Sequence, residues 1–277
     1  MLGQLPYCAF SFGGGVQSSA IYLMLMHEPR KLLEAMGELP DKVFFADTGA
    51  ETASTYKALV HMMGFKSLHF EIQIVSNGSI LNHCYGSGDY NPLYPFYIKQ
   101  PDGKLSMAKR QCTSEFKIRA VQKACREAFH LTRKKLKYPT ISQWLGISTD
   151  EPERVKTSEG TGFVTRYPLI ELGMSRDDCV DYCKQHNWTP TKSRCYLCPY
   201  QGDAQWLELK YKHPGDFELA CQQDERIRNT LLWRDRAEGN QPTAQCYLHR
   251  SCAPLREVQF KGEPDLWADE CQGVCNT

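Results

Sequence analysis

The chain has 277 residues, of which 33 are basic and 32 are acidic, and its formal net charge at pH 7 is +1. This length is enough for one substantial α/β domain with an appendage. The balanced charge excludes an overall positive field that would attract a polyanion. No apolar run reaches the length of a membrane span, and residues 1–6 lead into an apolar segment rather than a signal peptide. We therefore expect a cytoplasmic protein with no membrane partner.

The number of cysteines indicates which kind of chemistry the protein performs. The chain contains 13 cysteines, an odd number that cannot all pair within one chain. An export signal, which would indicate a compartment where disulfides form, is not expected either. A chain of this length also forms a core without disulfides. In a reducing compartment, such a surplus of thiols indicates metal or sulfur chemistry.

A glycine-rich segment near the start of the chain carries the first strong pattern. The apolar run at 7–12, predicted to be a strand, leads into three consecutive glycines: Gly13, Gly14 and Gly15. The apolar, proline-free run at 19–27 predicts a helix directly afterwards. Glycines let the backbone approach an anion closely, and the helix N-terminus adds partial positive charge. The pattern therefore predicts a phosphate-binding site, although a tight strand-to-helix turn has the same signature.

The next segments predict the sheet. The fully apolar run 42–46 is typical of a parallel strand buried on both faces, 52–63 predicts a helix, and 67–75 predicts a third strand. A further strand is predicted over 141–147, whereas 85–107 reads as a long loop. We expect an α/β fold with a doubly wound, mostly parallel sheet, in which ligands meet the carboxyl ends of the strands. Three residues that directly follow the second strand are thus candidates to meet a nucleotide: Asp47, Thr48 and Gly49.

Three cysteines in two segments carry the second strong pattern. Cys112 lies at the start of a helix predicted to run to about Phe129, and a helix N-terminus favours a thiolate. Four cations are its neighbours in the sequence: Lys109, Arg110, Lys117 and Arg119. Cys195 and Cys198 form a Cys-x-x-Cys turn, the spacing at which two sulfurs reach one metal or cluster. We expect these three cysteines to bind a [4Fe-4S] cluster with one iron free of cysteine; a zinc half-site and a redox dithiol are the alternatives.

The remaining segments set the predicted domain organisation. A helix is predicted to begin at the capping box 175–178, with Cys179 and Cys183 as core residues. The chain from 202 onwards is predicted to be helical. We divide it into a nucleotide-binding α/β domain at 1–170 and a helical, cysteine-rich region at 171–277 packed on it. The tail cysteines Cys271 and Cys275 have cluster-like spacing, and their role stays open.

The glycine segment also resembles a known loop. Positions 11–18 read Ser-Phe-Gly-Gly-Gly-Val-Gln-Ser, similar to the PP-loop of the ATP pyrophosphatases in the version of the phosphoadenosine phosphosulfate reductase family, Ser-Phe-Ser-Gly-Gly-Lys-Asp-Ser. The matching positions are Ser11, Gly14, Gly15 and Ser18. Gly13, Val16 and Gln17 replace the Ser, Lys and Asp of the family, which removes a phosphate-facing cation and a carboxylate. The resemblance implies binding of ATP with Mg²⁺ through Ser11, Phe12, Gly13, Gly14, Gly15, Gln17 and Ser18.

Three later segments extend this resemblance to about residues 7–200. Asp-Thr-Gly followed by Glu recurs in the family and contacts the adenosine there, which implies this role for Asp47, Thr48 and Gly49. The segment 146–154 is similar to a family stretch, Gly-x-Arg-x-x-Glu-Ser, which implies site roles for Glu151 and Arg154. The three cysteines match the three-cysteine clusters of tRNA-thiolating relatives. The chain is most similar to uncharacterised reductase-like proteins, many of them encoded by bacteriophages, and an adenine nucleotide alpha hydrolase-like fold is implied.

The resemblance also shapes the expected reaction. A sulfonucleotide reductase of this family carries Glu-Cys-Gly-x-His near its C-terminus, and the nearest approach here, at 269–273, lacks the histidine. We therefore expect ATP-dependent adenylation of an acceptor oxygen with release of pyrophosphate, followed by sulfur transfer. The catalytic candidates are Ser18, Cys112, Glu151 and Arg154. RNA or DNA is the expected acceptor, while the sulfur donor and the oligomer, a homodimer included, stay open. A sulfonucleotide reductase and a noncatalytic nucleotide or cluster sensor are the alternatives.

Overall fold

The computed structural model describes residues 5–67, 69–84, 94–131, 136, 138–156, 162–190, 192–229 and 243–263. The elements in chain order are β1 (Tyr7–Ser11), α1 (Val16–His27), α2 (Pro29–Met36), β2 (Lys42–Ala46), α3 (Ala53–Met63), β3 (Ile72–Val75), β4 (Tyr97–Lys99), β5 (Leu105–Met107), α4 (Arg119–Ala128), β6 (Ile141–Leu145), β7 (Phe163–Arg166), α5 (Pro168–Glu171), α6 (Arg176–Gln185), α7 (Asp203–Lys212), α8 (Pro214–Ile227) and β8 (Gln245–Tyr247). A π-helical turn, Thr113–Ile118, leads directly into α4.

The central element is a five-stranded sheet in the order β3-β2-β1-β6-β7. All four of its strand pairings are parallel. Helices cover both of its faces, as the predicted α/β class requires. The expectation of a doubly wound parallel sheet is therefore confirmed.

The strands alternate between two cores because successive side chains of a strand point to opposite faces. Phe10 and Phe45 face the core that contains α1 and α6. Ala9 and Phe44 face the other core, beside Val121 of α4. Residues 16–25 of α1 are all buried, which is typical of a helix enclosed by the domain. The sheet is thus buried on both faces, which explains the unbroken apolar runs of β1 and β2.

A third core joins the segments after α6 to the edge of the domain. It includes residues of α7 and α8 together with Phe96, Phe116 and Leu197. Next to it, β4 pairs with both β5 and β8 in a small antiparallel sheet. This core packs over the carboxyl edge of the large sheet and supplies one wall of the pocket described below.

Several predicted boundaries differ from the structure. Helix α1 begins at Val16 rather than at residue 19, because the glycine loop ends at Gly15. The loop predicted over 85–107 contains β4 and β5, and the helical prediction from residue 202 onwards is wrong at β8. These three-residue strands depend on pairing with each other rather than on local sequence. The predicted domain boundary at residue 170 stays a prediction, and α6 beyond it packs against α1 in one core.

Two local predictions are confirmed. The Ser175 hydroxyl accepts a hydrogen bond from the backbone N–H of Asp178, and the Asp178 carboxylate accepts one from the backbone N–H of Ser175. This reciprocal capping box begins α6 where the sequence indicated. Cys179 and Cys183 are buried in the core beside α1, as expected of core residues. No helix in the described ranges is long and apolar enough to cross a membrane.

Candidate functional site

One pocket of about 370 Å³ opens at the carboxyl edge of the parallel sheet. Strand β1 has β2 on one side and β6 on the other: the chain runs from β1 through β2 to β3 on one side and then crosses to β6 and β7 on the other. Ligands of doubly wound sheets bind at such a switch point. Residues just beyond three strands line the pocket, among them Gly13, Thr48 and Gly146. Its volume lies in the range of small-molecule sites.

The glycine loop turns sharply between β1 and α1. Gly14 has φ of +75°, a backbone conformation that favours glycine. A Cβ at this position would also lie 3.1 Å from Cγ2 of Thr55, which is a tight contact. The flanking glycines, Gly13 and Gly15, line the pocket. The loop therefore presents glycine backbone to the pocket while Gly14 makes the turn.

Hydrogen bonds inside the loop fix its shape. The Ser18 hydroxyl accepts a hydrogen bond from the backbone N–H of Gly15 at 3.1 Å and donates one to the Gly15 carbonyl oxygen at 3.0 Å. A Cβ at Gly146 would lie 2.9 Å from the Ser18 backbone nitrogen, so the end of β6 approaches the start of α1 closely. The Gln143 side chain donates to the Ser11 hydroxyl at 2.8 Å. The loop is thus held by its own residues and by β6.

Gln17 connects the loop to the segment after β6. Its side-chain nitrogen donates to Oε2 of Glu151 at 3.0 Å and lies 3.4 Å from the Ser148 hydroxyl. The other carboxylate oxygen of Glu151 accepts a hydrogen bond from Nη1 of Arg154 at 2.7 Å, and Arg154 lines the pocket. The predicted site residues Gln17, Glu151 and Arg154 therefore lie together.

The predicted site residues after β2 divide into two groups. Thr48 lines the pocket. Asp47 holds the turn instead, because its Oδ1 accepts hydrogen bonds from the backbone N–H of Gly49 at 2.8 Å and from the Tyr56 hydroxyl at 2.7 Å. Burial, and secondarily this bond to Asp47, raises the pKa of Tyr56. Phe12 of the glycine segment lines the pocket, and its ring also packs against Phe10, Tyr22 and Phe45 in the core.

The three predicted cluster ligands, Cys112, Cys195 and Cys198, line the same pocket. The Cys195 sulfur accepts a hydrogen bond from the backbone N–H of Leu197 at 3.4 Å, and the Cys198 N–H donates to the Cys195 carbonyl oxygen at 3.2 Å. Among the described residues, no group of three or more His, Cys, Asp or Glu side chains is placed to hold a single metal ion. A four-iron cluster has a different requirement, because each thiolate binds a separate iron atom.

An ion pair between the half-exposed Lys117 and the buried Glu51, which the sequence did not predict, lies beside these cysteines. The Glu51 side chain is 1% exposed, and its Oε1 lies 3.0 Å from Nζ of Lys117. The same oxygen accepts a hydrogen bond from the Thr48 hydroxyl at 3.0 Å, and Glu51 is bridged to Cys195 through backbone pairing. The pair therefore connects the nucleotide side of the pocket with the cysteine side.

This ion pair and the thiols influence each other's protonation. Burial raises the pKa of the Cys195 thiol well above its usual value, and the Glu51 carboxylate adds to this effect while Lys117 opposes it. Burial alone would lower the pKa of the Lys117 ammonium group. The Glu51 carboxylate and the neighbouring Cys195 and Cys112 outweigh that effect, so the pKa of Lys117 is raised.

Two further residues of the pocket were missed by the sequence analysis, Ser193 and Arg194. The Ser193 hydroxyl donates a hydrogen bond of 2.5 Å to the Gly13 carbonyl oxygen. Arg194 is 6% exposed, and its Nη2 donates to Oε2 of Glu208 at 2.9 Å. Their position directly before the Cys-x-x-Cys turn was the one available signal.

Some predicted features lie outside the described residues, namely Cys271, Cys275 and the basic residues 133–135 and 137. Several exposed cations of the predicted basic segment are described, among them Lys109 and Lys123. Arg119 is paired with Glu115. The described part of this segment therefore presents only a modest positive surface next to the pocket.

No protein-family model matches the chain, and no curated protein matches its sequence. Among solved structures, the chain is similar to a phosphoadenylyl-sulfate (PAPS) reductase from Candida auris in a phosphate complex. The identity is 12% and the TM-score 0.37, over 68% of this chain and 76% of that chain. A similarity of this size assigns no role to any residue here.

Proposed function

We propose that this protein belongs to the PP-loop ATP pyrophosphatases, in the reductase-like group common in bacteriophages, and that it uses ATP to activate an acceptor for sulfur transfer. The observation that carries the proposal is the composition of one pocket. The glycine loop at 13–15, Thr48 and the cysteines Cys112, Cys195 and Cys198 all line it. A nucleotide and a sulfur-carrying group bound there would lie next to each other.

The phosphates of ATP would bind at the glycine loop. Backbone N–H groups of a glycine turn and a helix N-terminus together attract phosphate oxygens. The loop is joined to Arg154 through Gln17 and Glu151, which gives the phosphate site a guanidinium group. No acidic residue lines the pocket in the described ranges. Mg²⁺ would accordingly enter bound to the phosphates of ATP, with water completing its shell, as this ion prefers.

The proposed chemistry has two displacements. An acceptor oxygen attacks the α-phosphorus of ATP, the bond to the β-phosphate oxygen breaks, and pyrophosphate leaves. A sulfur nucleophile then attacks the acceptor carbon or phosphorus, and AMP leaves with the former acceptor oxygen. Arg154, placed by Glu151, would stabilise the charge that develops on the phosphates. Ser18 would keep the loop N–H groups in place through its two hydrogen bonds to Gly15.

The chemistry of three residues that line the pocket supports a [4Fe-4S] cluster, because thiolates are the usual ligands of such clusters. Three thiols reach one pocket, and Lys117 lies near two of them, where it offsets negative charge. The Leu197 N–H donates to the Cys195 sulfur, a type of bond that stabilises cluster thiolates. Cys112, Cys195 and Cys198 would hold the cluster, which when bound supplies one iron atom free of cysteine.

A nucleic acid is the proposed acceptor. Lys109 and Lys123 are exposed on the segment that carries Cys112 and α4, where they would contact a phosphate backbone. The net charge of +1 gives no general attraction, so recognition would depend on such local contacts.

The test uses anaerobically purified protein. Iron and acid-labile sulfide are measured first, and pyrophosphate release from ATP is then followed with and without added tRNA or DNA. The proposal predicts both elements in the protein and pyrophosphate release that the acceptor stimulates. ATP binding without release would identify a sensor, and sulfite formation from a sulfonucleotide would identify a reductase.

A further inference from the structure

The guanidinium group of Arg194 is buried without full hydrogen bonding. The side chain is 6% exposed and lines the pocket. Its Nη2 reaches Glu208, whereas Nε and Nη1 have no hydrogen-bond partner among the described residues. A buried donor with no acceptor destabilises the fold, and does so more strongly when the group is charged. This destabilisation is removed if a ligand in the pocket supplies the acceptor.

Backbone contacts fix Arg194 beside the glycine loop. Its carbonyl oxygen accepts a hydrogen bond from the Thr52 N–H at 2.9 Å, and its N–H donates to the Thr55 hydroxyl at 3.3 Å. Thr55 is also the residue that a Cβ at Gly14 would meet. The preceding residue, Ser193, is bonded to Gly13. Arg194 therefore cannot move far from the loop without breaking contacts on both sides.

The charges around the glycine loop indicate which cation can neutralise a bound phosphate. Residues 11–19 contain no charged side chain, so a bound polyphosphate must be neutralised by residues from elsewhere. The other cations that line the pocket have partners of their own. Lys117 is paired with the buried Glu51 and Arg154 with Glu151, while Arg110 donates to the Thr113 hydroxyl and lies over the Tyr200 ring. Arg194 contacts its carboxylate through Nη2, and its Nε and Nη1 have no hydrogen-bond partner among the described residues. A guanidinium binds phosphate oxygens through two such N–H groups.

We infer that Arg194 binds a phosphate group of the nucleotide and adds positive charge beside a glycine loop that has no charged side chain of its own. This inference rests on the proposed nucleotide site and adds the residue that recognises its polyphosphate. Adenosine, which has no phosphate, should not depend on Arg194. Binding of pyrophosphate, which consists of phosphate groups alone, should depend on Arg194 strongly.

The experiment measures binding of ATP, pyrophosphate and adenosine by calorimetry. We expect Arg194→Met to weaken ATP and pyrophosphate binding by roughly 10-fold to 100-fold, the loss of a charged hydrogen bond, and to leave adenosine binding unchanged. Glu208→Gln removes the competing carboxylate of a buried pair and should strengthen pyrophosphate binding by at least about twofold. Arg250→Met is the matched control, because it breaks an arginine–carboxylate pair with Asp203 at an exposed position.

The outcomes separate the two proposals. If the parent protein binds ATP and Arg194→Met binds pyrophosphate equally well, the role of Arg194 is overturned and the nucleotide site stands. If the parent binds neither ATP nor adenosine, both are overturned. Should Arg194→Met not fold, Glu208→Gln decides, since pyrophosphate binding no tighter than that of the parent overturns the inference.

Discussion

The Ser193 hydroxyl donates a hydrogen bond of 2.5 Å to the carbonyl oxygen of Gly13. It joins the segment before the Cys-x-x-Cys turn to the loop that would bind the nucleotide phosphates. A second connection runs through Glu51, which is paired with Lys117 and bridged to Cys195. The cysteine side and the nucleotide side of the pocket are therefore linked by two polar contacts. A substitution on either side should change ligand binding on the other.

The first prediction concerns this hydrogen bond. Ser193→Ala removes the donor, and we expect ATP binding to weaken by about fivefold, the effect of one net hydrogen bond of about 1 kcal/mol. Titration calorimetry checks it. Ser76→Ala is the control, because that hydroxyl also donates to a carbonyl, of Gly78, but in an exposed turn. Equal ATP affinity in Ser193→Ala and the parent would show that the bond does not hold the loop.

The second prediction tests the glycine loop. A Cβ at Gly13 meets nothing closer than the Ser18 hydroxyl at 3.7 Å, so Gly13→Ala should fold normally. The added methyl group enters the space proposed for phosphate, and we expect ATP affinity to fall by at least about tenfold. Gly202→Ala, where a Cβ also meets no atom within 4 Å, is the control. Full affinity in Gly13→Ala would exclude phosphate from this loop. Gly14 is a poorer test because its positive φ makes any substitution strained.

The third prediction concerns the cluster. Serine at Cys112, Cys195 or Cys198 should lower the iron content and bleach the visible absorbance, since serine oxygen is a poor ligand for iron–sulfur clusters. Cys183→Ala changes a thiol in the core beside α1 and should keep its iron. Assays of iron and acid-labile sulfide on anaerobically purified variants measure this loss. Undiminished iron in Cys112→Ser, or its loss on replacing Cys271, would show that another ligand set is used.

The fourth prediction uses the ion pair between Lys117 and Glu51. Lys117→Met leaves a buried carboxylate without its cation, and we expect the free energy of unfolding to fall by about 1 to 2 kcal/mol, since Lys117 is 42% exposed and partly screened by water. The pKa of Lys117 is raised in the fold. Its contribution is therefore complete below the pKa of a free lysine, about 10.4, and is lost as the pH rises through the higher folded value.

Urea unfolding of the parent and Lys117→Met at neutral pH and at about pH 11 measures this contribution, and the difference between them should shrink at the higher pH. Lys184→Met serves as the control because its pair with Asp181 is exposed on both sides. Equal stabilities at neutral pH would mean that the buried Glu51 does not need its partner.

The fifth prediction concerns the acceptor. If Lys109 and Lys123 contact a phosphate backbone, binding of tRNA or DNA should weaken steeply with salt. The double variant Lys109→Ala/Lys123→Ala should then reduce the slope of log affinity against log salt by about 1 to 2. Fluorescence anisotropy over a salt series measures it, with Lys31→Ala as a control on α2. Absence of binding to either polymer at low salt would point to a small-molecule acceptor.

Local sequence determined much of this protein. The apolar runs of β1 and β2 predicted buried parallel strands because a strand enclosed on both faces has no polar side. The capping box at Ser175 and Asp178 predicted the start of α6, since its hydrogen bonds involve neighbours in the chain. Three glycines after a strand predicted the turn that Gly14 makes. Each of these signals depends on residues a few positions apart.

Only the tertiary structure shows which residues surround the glycine loop at 13–15. Strands β4 and β8 are three residues long and form through their pairing with each other, which no local pattern encodes. The contacts of Ser193 with Gly13, Lys117 with Glu51 and Arg194 with Glu208 join residues that are far apart in the sequence, up to 180 positions for Ser193 and Gly13. A side chain in the sequence has a type and a position but no neighbour across the fold. The burial of a side chain and the residues that it contacts determine its charge state and its ability to bind a ligand. Both are therefore properties of the folded chain.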